Sequence, residues 1–188
     1  MPKSVEMLVE AAQKCFFQHG YSASNVSLIG RYADISRATI YKNFSSKEDL
    51  FRAVVQRHID SNQEALQDYV VSENEFWDDT EALIAGRCSG LFDDIPSNLI
   101  RTELIHAGQS HCEDIIQSEV NKVQGIIKDR IEKETALGRL SIEGVGMNAE
   151  AFAKVIESIP LGVAFSSYEE NNLEIIMNMF RVFRASTK

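Results

Sequence analysis

Arg37, Ala38, Thr39, Tyr41, Lys42 and Asn43 stand within seven consecutive positions, and at helical spacing most of them share an exposed face. Arg and Asn are the side chains that bond base edges in pairs, whereas Thr, Tyr and Lys suit phosphate oxygens. A helix over Arg37–Phe44 would need a support holding it at a fixed angle, and the residues before it supply one. Ser24 stands where it can cap a first helix whose inward positions are Val26, Ile29, Gly30 and Ala33. Asp34-Ile35-Ser36 then makes a three-residue turn: Asp tolerates left-handed backbone, Ile35 plugs the core, and Ser36 caps the second helix. Two helices this short, joined this tightly, form a helix-turn-helix whose second member can enter a DNA major groove. Spacing alone leaves open any small helical hairpin with a polar face.

Around this pair the elements fall in order. Val5, Leu8, Val9, Ala12 and Phe16 share one face of a bracing helix over Ser4–His19, which Gly20 closes. Ser45 with Glu48, and Ser46 with Asp49, offer overlapping capping boxes. The long helix they open has Leu50, Phe51, Val54, Val55, Ile59 and Leu66 as its apolar stripe. Its N-terminus, bearing Lys47, is a natural phosphate clamp, and it is read as the sole covalent link from the reader to the rest. Further helices are expected at about 79–92, 96–109 (with Pro96 in the first turn), 113–137, 148–168 and 171–184.

The stretch from Ala11 to Leu50 resembles the DNA-binding domain of the TetR family of bacterial repressors. The matching residues are Ala11-Ala12, Phe16, Gly20-Tyr21, Val26, Ile29, Ala33, Ile35-Ser36, Thr39-Ile40-Tyr41, Phe44, Lys47-Glu48 and Leu50. Two positions depart from the family pattern: Asp34 stands where Gly is usual, and Gly30 where Ala is usual. The resemblance implies an all-α chain: a three-helix DNA-binding domain (residues 1–50) joined by the long helix to a helical effector-binding and dimerisation domain (residues 51–188). The expected DNA contacts are Ser24, Asn25, Ser27, Ser36, Arg37, Ala38, Thr39, Tyr41, Lys42, Asn43 and Lys47. The implied partners are a pseudo-palindromic duplex operator, a second copy of the chain and a small-molecule effector.

The net charge of −9 becomes compatible with DNA once it is divided. Residues 1–60 carry eight Lys/Arg against six Asp/Glu, residues 61–188 eleven against twenty-two. Within 25–47, Arg31, Arg37, Lys42 and Lys47 face only Asp34, so the positive potential is local. No apolar run approaches membrane-spanning length and no signal-peptide core opens the chain, so a cytoplasmic protein is expected, with no membrane partner. Cys15, Cys88 and Cys112 are widely spaced and read as buried reduced thiols, with a redox sensor on Cys88 or Cys112 as the alternative. No phosphate-binding Gly loop, Ser elbow or H-E-x-x-H spacing occurs, so no enzyme activity, cofactor or metal is expected. A metal site from His106, His111 and Cys112 is the weaker reading against ordinary helix-end histidines.

The second half carries material for two further surfaces. Phe76, Trp77, Phe92, Leu104, His106, Gln109, Phe152 and Phe165 are candidates for the wall of the effector cavity that the resemblance implies, with plain core packing as the alternative for each. The last two helices are apolar on two sides and so need covering twice. TetR-family dimers are usually made by these helices, which places Phe165, Ile175, Met179, Phe180 and Val182 in a dimer interface. A DNA-binding repressor released by a hydrophobic ligand is the resulting reading. An architectural or partner-controlled DNA-binding protein without an effector is the alternative.

Overall fold

The computed structural model describes residues 3–95, 97–166 and 172–187, and every regular element among them is helical. In chain order these are α1 (Lys3–Ala23), α2 (Val26–Ala33), α3 (Arg37–Tyr41), α4 (Lys47–Ser61), α5 (Gln63–Val71), α6 (Phe76–Phe92) and α7 (Asn98–His111). They are succeeded by α8 (Glu113–Ala136), a short 3-10 turn (Glu143–Val145), α9 (Ala149–Ser166) and α10 (Asn172–Ser186). Pro96, Tyr168 and Asn171, where helix ends were expected, lie outside the described residues. No described helix is long and apolar enough to cross a membrane.

The chain forms two compact units, Met1–Ser61 with Asp93–Ile116, and Asn62–Phe92 with Gln117–Lys188. In the first, α1 packs on α2, α4 and α7. Its core includes Leu8, Val9, Ala12, Phe16, Ile29, Ile40, Leu50 and Phe51, each nearly or wholly removed from water. Phe16 meets Phe51 edge-on, with ring centroids 5.1 Å apart. α1 bends at Gly20, whose φ of 79° and ψ of 173° only glycine adopts readily. That is where the sequence places the end of the bracing helix.

Two expectations about the linking helix need correcting. A single helix through Leu66 is broken at Asn62, where φ is −94° and ψ −1°, and α5 starts afresh. Asn is a weak helix residue because its amide competes for nearby backbone, and a serine precedes it. Nor is α4 the sole link: the chain passes between the two units after Ser61, after Phe92 and after Ile116. The segment 93–116, including α7, groups with residues 1–61 rather than with the remainder of 51–188.

The second unit is built around Trp77. Its ring meets those of Phe76, Phe152, Phe180 and Phe183 at centroid distances of 5.0, 6.0, 6.0 and 6.4 Å. Its Nε1 donates to Thr187 Oγ1 at 2.9 Å, so the polar tip of a fully buried indole is satisfied. Arg130 of α8, only 4% exposed, spends its guanidinium on Glu134, Asp79 and the carbonyls of Tyr69, Ser72 and Asn74. Those carbonyls end α5 and the loop after it, which otherwise would lack partners.

Candidate nucleic-acid interface

The helix-turn-helix is set by capping residues. Asn25, extended at φ −135° and ψ 164°, caps α2, and its Oδ1 accepts from the Leu28 N–H at 3.0 Å. Ser24 does not hold this position. It is 1% exposed, and its Oγ donates to the Gly20 carbonyl at 2.6 Å, which removes it from the expected DNA contacts. Asp34 takes the left-handed conformation expected of it, at φ 52° and ψ 43°. The N–H groups of Asp34 and Ile35 both close on the Gly30 carbonyl. A Cβ at Gly30 would stand 2.8 Å from the Ile35 carbonyl oxygen, so the close turn and the glycine belong together.

Ser36 caps α3 as expected, its Oγ accepting from the Thr39 N–H at 3.1 Å and lying 2.9 Å from Thr39 Oγ1. α3 is shorter than expected, ending at Tyr41, although the Phe44 N–H still reaches the Ile40 carbonyl at 3.0 Å. Ile40 is the buried anchor. Arg37, Ala38, Thr39, Tyr41, Lys42 and Asn43 are all exposed around it. The Asn43 amide donates back to the Thr39 carbonyl at 3.1 Å.

Beside α3 lies an open groove of about 640 Å³, lined by Asn25, Val26, Ser27, Arg37, Tyr41, Ser45, Ser46 and Lys47. It brings together two cations, several hydroxyls and the starts of α2 and α4, a set suited to a nucleic-acid backbone. Ser46 caps α4 by accepting from the Asp49 N–H at 2.9 Å. Lys47 is not a free arm. Its Nζ donates to the Tyr21 carbonyl at 2.9 Å and stands 4.0 Å over the Tyr21 ring. The sequence reading missed Tyr21 as this anchor, and missed Ser45 and Ser46 as groove walls because they read only as caps.

The remaining candidates divide. Phe76, Trp77 and Phe152 come together, but as core rather than as a cavity wall, and Phe92 packs against the same cluster. Leu104, His106 and Gln109 belong to the first compact unit, with Leu104 buried and the other two exposed. Phe165, Met179 and Val182 are 38, 41 and 64% exposed, and Ile175 is half-buried. Phe180 departs from the expected interface: it is wholly buried against Trp77 and has no surface to offer a partner.

All three cysteines are buried. Desolvation pushes the Cys88 thiol up to about 12 and the Cys112 thiol up to about 11, and raises Cys15 as well. Thiols so held carry little thiolate at neutral pH, which removes the basis for a redox sensor at Cys88 or Cys112. The His111 ring lies against that of Tyr21, with centroids 4.8 Å apart and planes tilted by 35°, and its Nδ1 is 3.5 Å from Glu48.

Residues 8–54 match the model of the bacterial regulatory proteins, tetR family. Over 54 residues the chain is 41% identical to the HTH-type transcriptional activator FasR of Mycolicibacterium smegmatis. Over 52 residues it is 40% identical to the HTH-type transcriptional repressor ComR of Escherichia coli. These stretches are 29% and 28% of this chain, and the chain spans only 25% of the length of either relative. In fold, it is similar across 98% of its length to 90% of SmeT, the repressor of the Stenotrophomonas maltophilia multidrug efflux pump SmeDEF, with a TM-score of 0.71 at 18% identity. A TetR transcription regulator from Haloarcula marismortui covers 100% of both chains with a TM-score of 0.81 at 15% identity. The match to that family is confined to residues 8–54, and beyond them the likeness to these regulators is one of fold.

Proposed function

We propose that this protein is a sequence-specific DNA-binding transcriptional regulator, acting as a homodimeric repressor released from its operator by a small hydrophobic ligand. One observation carries the DNA-binding part: the exposed Arg37–Asn43 face stands beside a groove holding Lys47, Ser27, Ser45 and Ser46. Residues 1–50 read the operator, and residues 51–188 carry the effector site and the dimer contacts. Two α3 helices about 34–36 Å apart would read successive major grooves of a pseudo-palindromic site. The ligand would shift the population away from that spacing.

The chemistry of the ligand is limited by the charges already taken. Arg87 is paired with Glu119 at 2.9 Å, and Arg101 is buried with a bond to Asn98 at 2.5 Å, so neither stands ready for an anionic ligand. Selection of bound DNA from a random pool tests the reading, and a two-fold symmetric site is expected. Hydrophobic compounds are then screened against that site, with Trp77 emission as a second readout. Compounds that raise thermal stability without altering operator affinity would remove the inducer. The close packing of Phe76, Trp77 and Phe152 favours the second reading, a DNA-binding protein controlled by a partner.

A further inference from the structure

The Tyr21–Ser22 peptide is gripped from both sides. Its carbonyl accepts from Lys47 Nζ at 2.9 Å, and its N–H donates to Glu103 Oε1 of α7 at 2.6 Å. The second carboxylate oxygen of Glu103 occupies the space beside Gly20 that a Cβ would need. Gly20 therefore answers two demands at once, its own left-handed φ of 79° and the seat of a carboxylate. Glu103, the Tyr21–Ser22 peptide and Lys47 form a line of charge-assisted hydrogen bonds within one compact unit. A carboxylate on the N–H polarises the amide and strengthens its carbonyl as an acceptor for the ammonium. Lys47 is the groove cation that this carbonyl holds.

We infer that Glu103, 81 residues from the turn it touches, is a positioning residue for DNA binding: it orients the Tyr21–Ser22 peptide and through it sets Lys47 against the DNA backbone. The inference rests on the proposed DNA-binding function. It also makes α7, from outside residues 1–50, a working part of the reader. Glu103 itself touches no DNA in this arrangement and acts only through the peptide.

The test is a double-mutant cycle on the DNA selected by the full-length chain, measured over a range of salt. Glu103→Ala is expected to weaken binding about tenfold, and Glu103→Gln, which keeps a neutral acceptor, about threefold. In a Lys47→Ala background either change should have almost no further effect, and amide exchange at Ser22 should accelerate in both variants. A role in stability alone would lower the melting temperature yet leave the affinity of the folded protein unchanged, and additive effects would mean that Lys47 is not the route. Either result overturns the inference and leaves the DNA-binding function standing. Should Glu103→Ala fail to fold, the dependence of Glu103→Gln on Lys47 decides. Wild-type protein that selects no DNA would overturn both.

Discussion

Arg37 and Arg130 show two opposite uses of one side chain. Arg37 stands exposed one residue after the Ser36 cap, with its donors unspent at the start of α3. Replacing it with alanine should cost about 1–3 kcal/mol of DNA binding and relax preference at one base position, read by repeating the DNA selection with the variant. Arg130 is closed in, and its removal would strand three carbonyls, take from Asp79 its cation and leave Glu134 to Arg139 alone. Arg130→Met should destabilise the protein by about 3–5 kcal/mol in urea unfolding, because unpaired buried groups cost more than the pair contributes. Arg37 was legible because a cap, a turn and an exposed face all lie within ten residues of it. Arg130 was not: at its position in a charged helix it reads as solvated surface, and its partners in α6 and the α5 end lie 51 to 61 residues away.

The turn between α2 and α3 depends on how closely its backbone approaches itself. Gly30→Ala would press a methyl against the Ile35 carbonyl, where backbone has little room to yield, and should cost about 1–3 kcal/mol of stability. Asp34→Gly should instead stabilise by about 0.5 kcal/mol, since it relieves the left-handed strain at the cost of some chain entropy. Thermal melts of the two variants should therefore move in opposite directions. A second fixture joins α4 to the start of α8, where Arg52 makes two 2.8 Å bonds to Asp114 and a 2.6 Å bond to the His111 carbonyl. The Arg52 guanidinium holds the Asp114 carboxyl down to about 2, from an ordinary 3.8. A depressed carboxyl stabilises the fold fully above its ordinary value, and loses that contribution as pH falls toward 2. Asp114→Asn should accordingly flatten the part of the acid-unfolding curve between about pH 4 and 2. Caps made α1, α2, α3 and α4 legible at their starts or ends, whereas Asn62 carries no stronger a signal than the helix-interior Asn121 or Asn178.

At the scale of the molecule, periodicity showed that the last helices are apolar on two sides but could not show which side the core takes. Phe180 and Val182 lie two positions apart on α10, yet one is wholly buried and the other 64% exposed. Only the position of Trp77, more than a hundred residues earlier in the chain, decides between them. The same gap explains α7, whose apolar positions gave no sign that they would pack on α1. Leu161, Phe165, Met179 and Val182 on α9 and α10 are exposed, and the proposed second copy would cover them. A two-fold pairing repeats each residue across the axis, so a single charge placed there is introduced twice. Val182→Glu should therefore yield a folded monomer, with wild-type helicity and a sedimentation coefficient reduced to that of one chain. Its affinity for a two-half-site operator should fall steeply, while that for a single half-site changes little. Phe180→Glu should act quite differently, burying an unpaired carboxylate beside Trp77 and losing the fold rather than the dimer. Sedimentation and circular dichroism of the two variants separate these outcomes, and a Val182→Glu protein that remained dimeric would show that these exposed residues of α9 and α10 serve another purpose.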